Sequence, residues 1–176
     1  MTSFKQAFYT ITLLALSYST VFAAAADFEA PIEIEAQQVE VNGQTGTSTY
    51  QGNVRLQRGS MIIEAHRMVL RQNGDQVSAE IDGGSAKLAR FSQLTATGER
   101  MEAQAERIRY FSDQDAIEFD GQAEVKRAAD KVSSDHIRYD LRAEQILAGE
   151  SEGTGRVRIV IQPPANSEQN SQQEQQ

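Results

Sequence analysis

The chain contains no cysteine, no tryptophan and only three prolines among its 176 residues. Without cysteine there is no disulfide framework and no thiolate metal site, so a core must hold the fold unaided. Basic tracts are also missing. Seventeen Lys and Arg stand against 25 Asp and Glu, a net charge of −8, which makes nucleic acid a poor candidate partner. An acidic chain gains no long-range attraction to anionic head groups either, so an anionic lipid would have to be recognised through its apolar part. Helical periodicity is nearly absent. Only Asp140 to Leu147, with Leu141, Ile146 and Leu147, offers one helical turn, and analogy with the preceding segments favours a strand there.

Machinery for catalysis is equally sparse. His66 and His136 are the two histidines, and an exposed bulge histidine is commoner than a ligand or general base. The carboxylates, Glu118, Asp120 and Glu124 among them, fall at outward strand positions and read as a solvated face. Gly153-Thr154-Gly155 precedes a strand and no helix, so it cannot form a helix N-terminal phosphate site. No serine occupies a nucleophile elbow. The residues call for no enzyme activity, cofactor or metal.

Both ends differ from the middle. Residues 1–26 carry one charge, Lys5, followed by an uncharged run ending in Val21-Phe22-Ala23-Ala24-Ala25-Ala26. The short apolar centre, the hydroxyl-rich second half and the alanine exit read as a secretory signal peptide. An uncleaved membrane anchor is the alternative. Residues 27–162 form one expected domain. From Pro163 the sequence PPANSEQNSQQEQQ holds too little apolar surface to offset the entropy of ordering, and reads as a disordered tail to residue 176.

The domain is organised around Tyr50 to Leu70, YQGNVRLQRGSMIIEAHRMVL. Tyr50, Gly52, Val54 and Leu56 alternate with polar residues, the period-2 pattern of a half-buried strand. A turn at Arg58-Gly59-Ser60 leads into a second arm, Ile63, Ala65, Met68, Leu70, whose alternation slips between Ala65 and Met68. A β-bulge or corner does this while keeping both apolar pairs on one face. The second arm recurs around Ala36, Ala105 and Ser134, and the first arm at Gly84, Gly121 and Gly155, in steps of 32, 37 and 34 residues. Turn residues such as Asn42-Gly43, Asn73-Gly74-Asp75 and Asp82-Gly83 separate the arms. A parallel β-helix prefers a steadier period and needs no paired hairpins. Long strands with a mid-strand slip predict an all-β, mostly antiparallel jelly roll or folded-over sandwich.

Inward positions mix large residues with small ones, notably Gly52, Ala65, Ala86, Ala105, Ala123 and Ser134. The small residues allow two readings: close approach of two sheets, or a slot left between them. Facing sheets stand about 10 Å apart, room for side chains or for acyl chains.

With the repeat in place, the chain resembles the LptA family, the OstA-like periplasmic proteins of lipopolysaccharide export. The resemblance rests on the leader, Pro31-Ile32-Glu33-Ile34-Glu35-Ala36, Gly52-Asn53-Val54, Ile81-Asp82-Gly83, Ala89-Arg90-Phe91 and Phe119-Asp120-Gly121-Gln122-Ala123, over about residues 30–162. It implies a twisted, V-shaped β-jelly roll, open along one side, in the periplasm. It also implies a groove that holds the acyl chains of lipid A while sugars and phosphates stay outside. Carried onto this sequence, the lipid-binding residues are Ile32, Ile34, Ala36, Tyr50, Leu56, Ala65, Phe91, Tyr110 and Phe119. The implied partners are lipopolysaccharide, an inner-membrane LptC-like protein, an outer-membrane LptD-like protein and further copies of the chain stacked head to tail. The acidic charge departs from the neutral or basic chains expected in the family. That weakens any salt-bridge account of the partner contacts and leaves the groove untouched.

Assembly has a physical rationale of its own. An open jelly roll leaves unpaired backbone at its first strand, Ile32–Val41, and its last, Arg156–Ile161. Pairing those edges, through Ile34 and Val39 on one side and Val157 and Ile159 on the other, is β-augmentation and propagates as an open filament. The opposing reading is that Pro31 and Pro163-Pro164 merely blunt the edges. Two other functions compete: a membrane-anchored LptC-like component that keeps its N-terminal helix, and a secreted polysaccharide-binding β-repeat protein. The second needs exposed aromatics, and this chain has no tryptophan and few aromatics of any kind.

Overall fold

The computed structural model describes residues 30–149 and 155–162. The leader, the Glu150–Gly153 turn and the tail lie outside the described residues. Among those described there are twelve strands and no helix. The first six are β1 (Glu33–Glu35), β2 (Gln38–Asn42), β3 (Thr47–Arg58), β4 (Met61–Asn73), β5 (Gln76–Asp82) and β6 (Ala89–Leu94). The rest are β7 (Arg100–Ala105), β8 (Arg107–Phe111), β9 (Ala116–Arg127), β10 (Asp130–Asp140), β11 (Gln145–Ala148) and β12 (Arg158–Val160). Every pairing is antiparallel, which confirms the all-β jelly roll and excludes the parallel β-helix.

Four long strands, β3, β4, β9 and β10, each pair with one set of neighbours in one half and another set in the other half. β3 pairs first with β2 and then with β1; β4 with β6 and then β5. β9 pairs with β8 and then β7; β10 with β12 and then β11. The result is one broad sheet folded along a crease into a V. The upper leaf runs β2-β3-β4-β5-β8-β9-β10-β11, and the lower leaf β1-β3-β4-β6-β7-β9-β10-β12.

The crease is built from bulges. Between the pairs Gln51–Arg67 and Val54–Ala65, two residues of β3 oppose one of β4. β9 and β10 do the same between Ala123–Ser134 and Asp120–His136. The doubled residues are Gly52-Asn53, with φ of 78° and 47°, and Gly121-Gln122, with φ of 75° and 50°. Left-handed backbone in a paired strand bends it sharply. The slip after Ala65 is therefore real, and the extra residue sits on the partner strand. Backbone bonds carry the sheet across the fold: Gln37 N donates to Gly52 O at 3.0 Å, and Glu106 N to Gly121 O at 2.9 Å.

These pairs disclose a longer repeat than the glycine steps. Residues 69 apart share rare backbone: Gly46 and Asp115, Gly52 and Gly121, Asn53 and Gln122, Gly59 and Ala128 all have positive φ. The domain is two copies of one half. Gly84–Leu88, expected as a first arm, is instead the loop between β5 and β6, because it falls at the junction of the halves. The stretch after Asp140 turns through residues 141–144 before β11, so the strand reading holds only for 145–148.

Strand register places the apolar residues in continuous rows on the inner face. The upper leaf carries Val39, Tyr50, Met68, Ile81, Ile108, Phe119, Ile137 and Ala148 side by side. The lower leaf carries Ile34, Leu56, Ile63, Phe91, Ala103, Val125, Val132 and Ile159. Ala89, Ala105, Ala123 and Ser134 are buried next to the crease, where the leaves converge. Small residues there serve close approach; the slot reading does not hold at these positions.

Candidate functional site: the inner face and its open edges

The expected lipid-binding residues all fall on or beside the inner face. Leu56, Phe91, Tyr110 and Phe119 are buried, Ile34, Ala36, Tyr50 and Ala65 pack against that core half-buried, and Ile32 is exposed. The leaves meet in the middle: Phe91 of the lower leaf packs edge-on against Phe119 of the upper at 5.7 Å and against Tyr139 at 6.3 Å. Edge-to-face rings at this spacing add to the burial of area itself.

Opposite the crease, polar contacts span the mouth of the V. Arg58 Nη1 at the end of β3 donates to Tyr110 Oη at 3.1 Å, and Ala96 N in the β6–β7 turn donates to Glu144 Oε1 at 2.5 Å. Burial pushes the Tyr110 hydroxyl up, with Arg58 opposing it. Burial, then Glu144, pushes Tyr139 up to about 12. Both phenols are neutral across the physiological range and act as apolar bodies with a hydroxyl tip.

The two ends of the sheet differ from its middle. Every large apolar residue exposed among the described residues lies at one edge or the other: Ile32, Val39 and Val41 on the first, Leu147, Val157, Ile159 and Ile161 on the last. Val39 and Val41 are 50% and 69% exposed, although their cross-strand partners Tyr50 and Ser48 face inward. Ile159, 60% exposed, lies in register with Val132 and the buried Val125. Among the described residues, the inner rows thus run from one edge to the other without a polar cap. The four edge residues expected from sequence, Ile34, Val39, Val157 and Ile159, lie on these margins. Val41 and Ile161 are the ends of the edge strands expected from sequence; sequence reasoning missed Leu147 as an edge residue, and missed the contacts of Arg58 and Glu144 altogether. Leu147 pairs with outward Arg138 and so lies out of phase with the inner row, and nothing local signals the contacts of Arg58 and Glu144.

The outer face is a lattice of opposite charges. On the upper leaf Glu118 takes Arg138 at 2.7 Å and Arg109 at 3.0 Å, while Asp120 takes Arg109 at 2.9 Å and His136 Nδ1 at 2.8 Å. On the lower leaf Glu124 holds Lys126 and Lys131. His136 is thus hydrogen-bonded to the outer charge lattice through Asp120, and no group of three or more potential metal ligands occurs among the described residues. A hollow of about 390 Å³ on the lower leaf is walled mainly by such charges, Arg55, Glu64, Arg90, Glu102 and Glu124 among them.

Burial works to raise the Asp120 carboxyl, but hydrogen bonds from Arg109 and His136 outweigh it and hold the group below the usual carboxylate range. A depressed carboxyl stabilises the fold above the unfolded pKa of about 4 and loses that contribution as pH falls through its folded value. Asp120→Asn is therefore expected to be less stable than the parent at neutral pH, with the difference shrinking below about pH 4. Urea midpoints measured across pH 2–7 check this; a constant difference contradicts it.

This geometry defines a class of protein: a sheet folded into a V, with an apolar inner face ending uncapped at two edges and a charged outer face. Among solved structures, the fold matches the crystal structure of LptH, the LptA-homologous periplasmic component of the lipopolysaccharide transport device of Pseudomonas aeruginosa. The TM-score is 0.72 at 26% identity, covering 78% of this chain and 99% of that one. In sequence, the chain is 28% identical over 160 residues to the lipopolysaccharide export system protein LptA of Escherichia coli strain K12, covering 91% of this chain and 85% of that protein. It is also 28% identical over 158 residues to the export protein LptH of Pseudomonas aeruginosa, covering 85% and 89% respectively. The chain belongs to the LptA/(LptD N-terminal domain) LPS transport protein family, whose sequence model matches residues 33–145.

Proposed function

We propose that the protein is a non-enzymatic periplasmic carrier of lipopolysaccharide, delivered by cleavage of its leader, which holds the acyl chains of lipid A against the inner face. Copies assemble edge to edge and span the distance between an LptC-like inner-membrane partner and an LptD-like outer-membrane partner. The observation that carries this reading is that, among the described residues, the exposed large apolar residues are confined to the two edges of the sheet, all but the outward-facing Leu147 at the margins of the inner face. An ordinary β-sandwich closes its core at the edges; this one leaves it open. A transported lipid needs such a continuous apolar path, and each methylene shielded from water contributes about 0.8 kcal/mol. The residues proposed to line the path are Ile32, Ile34, Ala36, Tyr50, Leu56, Ala65, Phe91, Tyr110 and Phe119. Chains reaching Phe91 and Phe119 have to part the leaves, so the Arg58–Tyr110 contact across the mouth is the place where opening begins.

Photoreactive residues incorporated in cells test the reading. Crosslinks to lipopolysaccharide are expected from Ile34 and Phe91, and not from outward Glu33 or Gln122. Equal labelling at all four positions removes the inner face as the lipid site.

A further inference from the structure

The join between the two halves is itself an edge-to-edge contact. β5 and β6, which end the first half, pair with β8 and β7, which begin the second. The repeat relates the free margins to this join. Val39 and Ile108 stand alike beside Tyr50 and Phe119, so β2 and β1 are the counterparts of β8 and β7. Ala148 beside Ile137 matches Ile81 beside Met68, and Ile159 beside Val132 matches Phe91 beside Ile63, so β11 and β12 are the counterparts of β5 and β6.

We propose that the junction between two copies of this chain repeats the internal join, in the same antiparallel register. The proposal rests on the edge-to-edge reading above and adds to it the residue-by-residue alignment. Within the chain Ala79 faces Tyr110, Ile81 faces Ile108 and Phe91 faces Ala103. The counterpart pairs are Ile146 with Val41, Ala148 with Val39 and Ile159 with Ile34 of the next copy. Each unites inner-face residues, at least one of them an exposed apolar side chain, so the inner rows continue from copy to copy. On the outer face the Arg90–Gln104 pair has as its counterpart Arg158 with Glu35, opposite charges directly across the junction.

The chain lacks cysteine, so the register can be read by disulfide formation between full chains carrying one cysteine each. Directly opposed residues have Cα atoms about 4.5–5.5 Å apart, within disulfide range. A shift of two residues opens this to about 7–8 Å, beyond it. Ile159→Cys mixed with Ile34→Cys, and Ile146→Cys mixed with Val41→Cys, are expected to give at least about tenfold more mixed dimer than Ile159→Cys with Ile32→Cys or Ala36→Cys. Circular dichroism verifies that each variant folds. Preferential crosslinking of a shifted pair overturns the register and leaves edge pairing standing. Association by sedimentation with no crosslink in any pair also overturns it, placing the contact elsewhere. A mature chain that stays monomeric at high concentration overturns the edge-to-edge reading itself.

Discussion

Replacing Phe119 with alanine is expected to destabilise the domain by about 3–5 kcal/mol. Phe119 is 0% exposed, sits in the inner row between Ile108 and Ile137, and meets Phe91 across the leaves. Truncation loses the transfer energy of the ring and leaves a cavity that the facing sheet cannot collapse into, because both leaves are fixed by the crease and by the mouth contacts. A loss of this size is a large fraction of a small domain's total stability. The thermal midpoint should fall by roughly ten degrees or more, read by circular dichroism on the mature chain. A shift of a degree or two would mean that the leaves are not packed together at Phe119. Lipid added to the variant gives a second reading. A ligand that binds only the folded state raises the midpoint, and an acyl chain filling the vacated space should recover part of what the ring supplied.

Much of this architecture is legible in the sequence because a half-buried strand has to alternate. Tyr50 to Leu70 is the β3–β4 hairpin as its period-2 pattern indicates, with a two-residue turn at Gly59-Ser60. The slip between Ala65 and Met68 locates the crease from one side only. On the other side Gly52-Asn53 adds an even number of residues between inward positions, so Tyr50, Val54 and Leu56 keep their parity and the bulge leaves no trace in the pattern. The same blindness hid the 69-residue repeat. Glycine marks the left-handed positions Gly46, Gly52 and Gly59, whereas two of their counterparts are Asp115 and Ala128. Residue identity therefore aligns unlike segments, Gly84–Leu88 among them.

The candidate site is legible to a different degree. Inward residues follow from parity, and Phe91, Tyr110 and Phe119 do line the interior. Parity does not say how far the leaves stand apart. Ala105 and Ala123 line a converging vertex, which sequence alone cannot distinguish from a slot. The contacts over the mouth join residues 52 and 48 positions apart, Arg58 to Tyr110 and Ala96 to Glu144. Such pairs arise from closure of the V and have no local signature. The open margins, in contrast, could be traced from sequence, because Val39, Val41, Val157, Ile159 and Ile161 continue the inward parity of their strands to the ends of the sheet.

On the proposed function the inner face recognises acyl chains and the charged outer face does not recognise the saccharide. The second large effect follows from it. Several acyl chains, each with on the order of ten methylenes, supply nearly all of the favourable energy at about 0.8 kcal/mol per methylene buried, while the acidic chain offers no long-range attraction to phosphate. The direct measurement is competition for labelled lipopolysaccharide by lipid A and by fully deacylated lipopolysaccharide that retains its sugars and phosphates. Lipid A is expected to displace the label as well as intact lipopolysaccharide does, and the deacylated saccharide to be weaker by at least about a thousandfold. Displacement by the deacylated saccharide at concentrations comparable to lipid A would contradict the proposed function.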